Sequence, residues 1–288
     1  MSALADMVSY GFMQRALAAG IMVGLLCGVL AFFVVLRRLS FIGVGISHSA
    51  FGGVAIGVLT GLDPFLLAAG VCLLVAWAIG WISRRGRLHE DTAIGILFSS
   101  VMALGVALIS LSRDYQIDLF GYLFGNILAV APLDLWLLAI ATIGVVGVVA
   151  VLFKSLLFVA FDEEVARANG LPVDLLQYVL LSCLAIAVVA AMRVVGIILV
   201  EALLVIPAAT GFQLARGYRT MLAISVVSAI VAAVGGLCLS YLLNVAAGAM
   251  IILVASSVFF ATLLLGRGHR RRAAAVLAVS QRARATLS

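Results

Sequence analysis

The residues of this chain that could bind an ion lie inside two long hydrophobic stretches. His48 stands between Ser47 and Ser49 in the glycine-rich segment 40–57, and Glu201 is the only acidic residue deep inside an apolar run. Imidazole and carboxylate groups suit zinc, manganese or ferrous iron, and zinc favours nitrogen most clearly. A polar side chain at membrane depth is costly unless it faces protein or water, which predicts that these residues look into a helix bundle or a pathway.

Both deep residues also have a purely structural interpretation. A histidine in a span can make a hydrogen bond between helices, and Glu201 can be a buried protonated carboxyl bonded to a neighbouring helix or a partner subunit. At 1.5 Å per residue, His48 lies about 12 Å from the cytoplasmic start of its span, and Glu201 about 10 Å from the outer start of its own. Their depths then agree to about 7 Å, which allows one transient site, with Ser47 and Ser49 as candidates for lining the pathway.

The elements that must position these residues follow from composition. The chain has 288 residues, of which 66% are hydrophobic and 10% charged, which excludes a water-soluble globule. Repeated apolar runs near the length needed to cross hydrocarbon predict an all-α, polytopic transmembrane helical bundle of about nine spans. The predicted spans are 12–36, 41–59, 65–82, 92–111, 133–153, 175–192, 194–214, 221–243 and 246–265.

Charge in the connections predicts the orientation. Most of the 18 basic residues fall in alternate connections and in the tail 267–288, while only Arg15, Arg113 and Arg193 fall near the other face. The positive-inside rule therefore places the N-terminus outside and the C-terminus and its basic tail in the cytoplasm. The net charge of +6 is explained by topology in this class, with no affinity for nucleic acid implied.

Small residues and proline mark the predicted helix contacts. Gly52 and Gly53 are expected where another helix crosses closely, because small residues let backbones approach in lipid. Pro207 is assigned to helix packing in the seventh span. The outer connection 112–132 carries Tyr115, Phe120, Tyr122 and Phe124, which suit a segment at the membrane interface.

The internal connection 154–173 predicts a short helix at the cytoplasmic surface. Asp162 can cap its N-terminus, and Glu163 and Glu164 fall in the first turn, where the helix dipole favours acidic groups. Asn169-Gly170 supplies a left-handed stop, and the following proline prevents continuation. Such a helix either fills a gap between two spans or receives force from a cytoplasmic partner.

Five segments in the same order resemble the membrane permease family of ABC importers for zinc, manganese and iron ions. They are residues 39–57, 90–99, 122–126, 161–172 and 194–210, and the similarity extends over about 12–265. The resemblance implies that 1–266 form one transmembrane permease domain in a bacterial plasma membrane. In that family, segment 161–172 corresponds to the helix that couples to the ATPase, which assigns this role to Phe161, Asp162, Glu163, Glu164, Arg167 and Gly170.

The same resemblance implies the partners. A second copy of the chain completes the pore, cytoplasmic ABC ATPase subunits hydrolyse ATP, and an extracytoplasmic metal-binding protein delivers the ion. No GxxxxGK[ST] sequence occurs in the chain, so it is expected to be a transport subunit and not an enzyme. It is expected to bind no cofactor of its own, because the divalent metal ion is its substrate.

One departure from the family pattern concerns the ion site. The family commonly has an aspartate four residues before the helical histidine, whereas this chain has Val44 there. We therefore expect Glu201 to replace the absent carboxylate. Two alternative functions remain open from the sequence, namely a permease for chelated metal of the siderophore or cobalamin type and a gradient-driven secondary metal transporter.

Overall fold

The computed structural model describes residues 9–86, 90–110, 127 and 130–264, and every regular element longer than one turn in these ranges is an α-helix. The helices are α1 Gly11–Leu36, α2 Ile42–Thr60, α3 Pro64–Gly86, α4 Glu90–Ser110, α5 Pro132–Phe161, α6 Glu163–Ala168, α7 Val173–Val195, α8 Ile197–Leu203, α9 Ile206–Leu214, α10 Tyr218–Leu243 and α11 Ala247–Leu264. Within these ranges, nine spans are long and apolar enough to cross a membrane, with α8 and α9 together forming the seventh. The predicted all-α polytopic architecture is confirmed.

The seventh span begins at an irregular residue and is broken once along its length. Gly196 adopts a φ of +82° and separates α7 from α8, so this span begins three residues later than the sequence predicts. Pro207 lies in the first turn of α9. Because proline lacks an amide hydrogen and clashes with the carbonyl four residues earlier, it cannot continue the helix that ends at Leu203. The result is a broken span with Glu201 two residues before the break.

The glycine-rich helix α2 lies at the centre of the bundle, packed against both α3 and α4. A Cβ atom at Gly53 would stand 2.5 Å from the Cα of Ala68 on α3, and one at Gly52 would stand 2.6 Å from a methyl group of Val101 on α4. Backbones approach this closely only where side chains are absent, since packing in lipid rests on van der Waals contact. The small residues of α2 therefore set the position of His48 relative to both neighbours.

Helices α1 and α10 also pack against each other closely. A Cβ at Gly28 of α1 would lie 2.8 Å from the Cα of Val226 on α10. Beside it, the hydroxyl of Ser225 donates a 2.7 Å hydrogen bond to the carbonyl of Gly28. Helix α9 also packs on α10 and on α1. The α1–α10 pair therefore supports α9, the second half of the broken seventh span.

The two ends of the bundle have different charge arrangements. At one end, Arg37 and Arg84 reach the short helix α6, whose sequence neighbours are predicted to be cytoplasmic. At the other end, Arg193 Nε lies 2.6 Å from Asp134 Oδ1, and the guanidinium stacks 4.7 Å from the ring centre of Phe65. The structure thus gathers the predicted inner connections at one end. The compartment that each end faces remains a prediction of the charge rule.

Two predictions concern residues outside the described ranges. One is the interfacial segment formed by the aromatic residues of the outer connection, together with the motif 122–126. The other is the basic cytoplasmic tail 267–288.

Candidate ion site and coupling surface

Helices α2 and α8 bring His48 and Glu201 into direct contact. The Nδ1 atom of His48 lies 2.7 Å from Oε1 of Glu201, and the two side chains are 22% and 17% exposed. The same ring nitrogen lies 3.1 Å from the carbonyl oxygen of Val44, one turn earlier on α2. The two side chains whose depths agree in the sequence are thus in contact in the structure.

Ser47 also contacts the carboxyl group of Glu201. Its Oγ lies 2.6 Å from Oε1 of Glu201 and also 2.6 Å from the carbonyl oxygen of Gly43. A hydroxyl has one proton and therefore donates to one of these acceptors at a time. Ser47 is fully buried in this chain, where its hydroxyl contacts the carboxyl group of Glu201.

Ser49 does not join this cluster. Its hydroxyl donates a 2.6 Å bond to the carbonyl of Gly45, and the residue is fully buried. Two residues along a helix correspond to a rotation of roughly 200°, so Ser47 and Ser49 cannot both face Glu201. Of the two serines proposed as pathway-lining, only Ser47 contacts the candidate site.

An aromatic ring covers the imidazole from the neighbouring helix. Phe98 of α4 stands edge-on to His48, with ring centres 5.2 Å apart and an angle of 85° between the planes. On the same helix, Ser99 and Ser100 are exposed. The position of His48 therefore depends on α4 as well as on α8.

The donor set around His48 is sparse. Among the described residues, no group of three or more His, Cys, Asp or Glu side chains could together hold a metal ion. One imidazole and one carboxyl group are therefore the strong ligands available from this chain. Such a set suits brief contact with a passing ion better than permanent retention.

The predicted surface helix is present as α6. Asp162 caps it by accepting a 2.9 Å hydrogen bond from the amide of Val165. Gly170 adopts a φ of +80° at its C-terminal end, and the amide of Leu171 donates back to the carbonyl of Ala166 at 3.1 Å. The helix is thus closed at both ends by the residues that the sequence indicates.

The two glutamates of α6 have different surroundings. Glu163 lies 3.6 Å from Arg37, 3.6 Å from Arg84 and 3.3 Å from Arg167. Glu164 is exposed and forms no ion pair within the described part of the chain. Glu163 therefore fastens α6 to the ends of α1 and α3, whereas Glu164 points outward. Phe161, at the end of α5, is 65% exposed beside it.

A buried polar relay connects this surface to the helix that carries Phe98. Arg84 at the end of α3 donates from Nε to Oε1 of Gln177 at 2.8 Å, and it also pairs with Asp174. The amide nitrogen of Gln177 donates to Glu90 at 2.8 Å. Gln177 is 4% exposed, and Glu90 is the first residue of α4. The relay thus joins the starts of α4 and α7 to Arg84, which also contacts Glu163 of α6.

Sequence reasoning missed Phe98 and Gln177. Gln177 did carry a signal, because an amide within an apolar span requires a partner. Phe98 carried none, since an aromatic residue in a hydrophobic run looks the same whether it faces lipid or a histidine. Its role depends on how α4 rotates against α2, which the close packing of Gly45 on Ile94 and of Gly52 on Val101 determines.

Comparison with known proteins gives consistent results over nearly the whole chain. The family model described as ABC 3 transport family matches residues 9–266. The manganese transport system membrane protein MntC of Listeria innocua is 41% identical over 261 residues, covering 91% of this chain and 93% of that protein. The protein of the same name from Halalkalibacterium halodurans is 39% identical over 254 residues, covering 88% and 87%.

A solved structure is similar in both sequence and fold. It is described as PsaBC from Streptococcus pneumoniae in complex with Fab, and the matching chain is 38% identical to this one. The match has a TM-score of 0.80 and covers 91% of this chain and 94% of the other.

Proposed function

This chain belongs to the ABC 3 transport family, and we propose that the divalent ion it carries is manganese. It is a multi-pass subunit of the bacterial plasma membrane, the permease of an ABC importer for divalent metal ions. It is not an enzyme, because ATP is hydrolysed by a separate subunit of the importer.

The choice of manganese is supported by the relatives of this chain. Relatives that are 39% and 41% identical over almost their full length are named as manganese transport proteins.

The ion site is proposed at His48 and Glu201. This proposal rests on the 2.7 Å contact between the two side chains inside two apolar spans. Polar groups at this depth mark pathways by default, and broken helices in transporters often place such groups near the midplane. The break between α8 and α9 stands beside Glu201, which fits this pattern.

Force from the ATPase is proposed to enter through α6. The importer includes an ATPase and an extracytoplasmic binding protein, and we assign the ATPase contact on this chain to the outward face of α6. A shallow pocket of about 580 Å³, lined by Glu163, Glu164, Arg167 and Ala168, lies on that surface. The ion pairs of Glu163 connect it to α1 and α3, so a push on α6 would reach both. A second copy of the chain is proposed to complete the pathway.

Ion uptake into proteoliposomes tests the cargo. The permease is reconstituted with its ATPase and its binding protein, and the accumulated manganese, zinc and iron are measured by elemental analysis at equal external concentrations. We expect ATP-dependent accumulation of manganese that persists when proton and sodium gradients are collapsed. Preferential accumulation of zinc or iron would show that the proposed cargo is wrong.

A further inference from the structure

The hydrogen bonds around His48 determine which of its two nitrogens is available to an ion. The Val44 carbonyl oxygen, 3.1 Å from Nδ1, can only accept a hydrogen bond. Nδ1 must therefore carry a proton, and it shares this proton between Val44 and Glu201 Oε1 at 2.7 Å. In a neutral imidazole, a proton on Nδ1 leaves the lone pair on Nε2.

We infer that Nε2 of His48 is the atom that meets the transported ion, and that Glu201 acts through His48 as a positioning residue instead of binding the ion itself. This inference rests on the proposed ion site and assigns a role to each of its members. No described residue forms a hydrogen bond with Nε2, and the side chain of His48 is 22% exposed. Nε2 is therefore the ring nitrogen that no described residue engages.

Distance separates the carboxyl group from such an ion. An ion bound at about 2.1 Å from Nε2 lies on the opposite side of the ring from Nδ1, roughly 6 Å or more from Oε1 of Glu201. The second carboxyl oxygen belongs to the same small group and cannot span that gap. Glu201 could bind the same ion only by releasing His48, and Ser47 opposes this release by contacting Oε1 at 2.6 Å.

A carboxylate or carbonyl acceptor on the second ring nitrogen is common among histidines that bind metals. Histidines that bind metals usually donate their other ring N–H to a carboxylate or a carbonyl, which fixes the tautomer and raises the basicity of the ligand nitrogen. Here His48 has both kinds of acceptor, one on its own helix and one on α8. Because α8 is a separate short helix, its movement would turn the ring and change the presentation of Nε2 to the ion.

Substitutions at Glu201 separate the two roles. Glutamine can still accept the hydrogen bond from Nδ1 but lacks the negative charge, whereas alanine removes both. For a positioning residue, we expect Glu201→Ala to raise the KM for manganese by about 10- to 100-fold and Glu201→Gln by less than about 5-fold. Equal losses in the two variants, at equal amounts of assembled importer, would overturn the inference in favour of a direct ligand.

Nitrogen NMR provides a readout that does not depend on transport. The chain has three histidines, so the signals of His48 in a ¹⁵N-histidine sample are identified by their loss in His48→Gln. We expect a protonated Nδ1 in the native protein and in Glu201→Gln, and a selective shift of Nε2 when the diamagnetic ion Zn²⁺ is added. Protonation of Nε2, or a shift of Nδ1 on adding Zn²⁺, would overturn the inference even if Glu201→Ala fails to assemble.

The proposed ion site can fail separately. Normal manganese uptake by an assembled His48→Gln importer would show that the site itself is wrong. Loss of uptake in that variant, together with equal losses in Glu201→Gln and Glu201→Ala, would retain the site and reject only the positioning role.

Discussion

Phe98 stands edge-on against His48, with ring centres 5.2 Å apart. Phe98 lies eight residues after Glu90, and Glu90 accepts a hydrogen bond from Gln177 at the end of the bundle where α6 is fastened. One continuous helix, α4, therefore connects the relay of Arg84 and Gln177 to the ring that covers the candidate ion ligand. If force enters through α6 as proposed, this connection would carry it to His48.

The first prediction concerns the cover over His48. Replacing Phe98 with leucine keeps an apolar side chain but removes the edge-on ring contact, which is worth about 0.5–1.5 kcal/mol. We expect the KM for manganese to rise by about 2- to 10-fold with the amount of assembled importer unchanged. Phe260→Leu on α11 is the matched control, because Phe260 makes a similar edge-on contact with Phe259. An unchanged KM in Phe98→Leu would show that the contact is incidental.

The second prediction concerns the buried relay. Gln177→Leu leaves Glu90 without its amide donor and removes one acceptor from Arg84. An unpaired buried polar group costs about 1–3 kcal/mol, so we expect a lower midpoint of thermal unfolding in detergent. If the relay also transmits movement, the ATP consumed per ion transported should increase.

A matched glutamine substitution serves as the control for the relay. Gln213 is half-buried and, among the described residues, accepts a single long hydrogen bond, at 3.3 Å from Thr262. We expect Gln213→Leu to have little effect on either measurement. Equal effects of the two substitutions would mean that Gln177 contributes nothing beyond an ordinary polar contact.

Much of this molecule follows from local sequence chemistry. The nine spans follow from the length of apolar runs, and both ends of α6 follow from Asp162 and Gly170. The contact of His48 with Glu201 was within reach, because depth along a helix follows from residue count. The rotation of one helix relative to its neighbour does not, which explains why the contact of Phe98 with His48 was missed.

The third prediction concerns the surface for the ATPase. Glu163 is engaged with three arginines of this chain, whereas Glu164 faces outward. We expect Glu164→Lys to lower both ATPase stimulation and uptake while leaving thermal unfolding unchanged. We expect Glu163→Lys to lower the thermal midpoint as well, because it places a cation among arginines. The proposed contact fails if Glu164→Lys retains full ATPase stimulation.

The fourth prediction concerns the packing of α2. A side chain at Gly53 would collide with the backbone of Ala68, and backbone cannot rotate aside as a side chain can. We expect Gly53→Leu to eliminate most of the assembled importer, measured by size-exclusion chromatography. Gly144→Leu on α5 is the control, because a Cβ at Gly144 meets no atom within 4 Å. A stable and active Gly53→Leu protein would contradict the observed helix contact.

The last prediction returns a carboxylate to the position where the sequence lacks one. Val44 lies one turn before His48, and its carbonyl already accepts a hydrogen bond from Nδ1. Because side chains four residues apart on a helix are neighbours, an aspartate at position 44 can accept the hydrogen bond from Nδ1 when Glu201 is absent. We therefore expect Val44→Asp, added to Glu201→Ala, to recover most of the lost affinity for manganese.

Val44→Leu in the same background supplies the control, since leucine fills a similar space without an acceptor. Recovery with aspartate and none with leucine would show that a carboxylate next to His48, and not added bulk, restores the affinity. Nδ1 of His48 should carry its proton in both double variants, because the Val44 carbonyl still accepts a hydrogen bond from it. If the Val44→Asp double variant assembles but recovers no uptake, the carboxyl group of Glu201 does more than orient His48, and a direct contact with the ion becomes the better explanation.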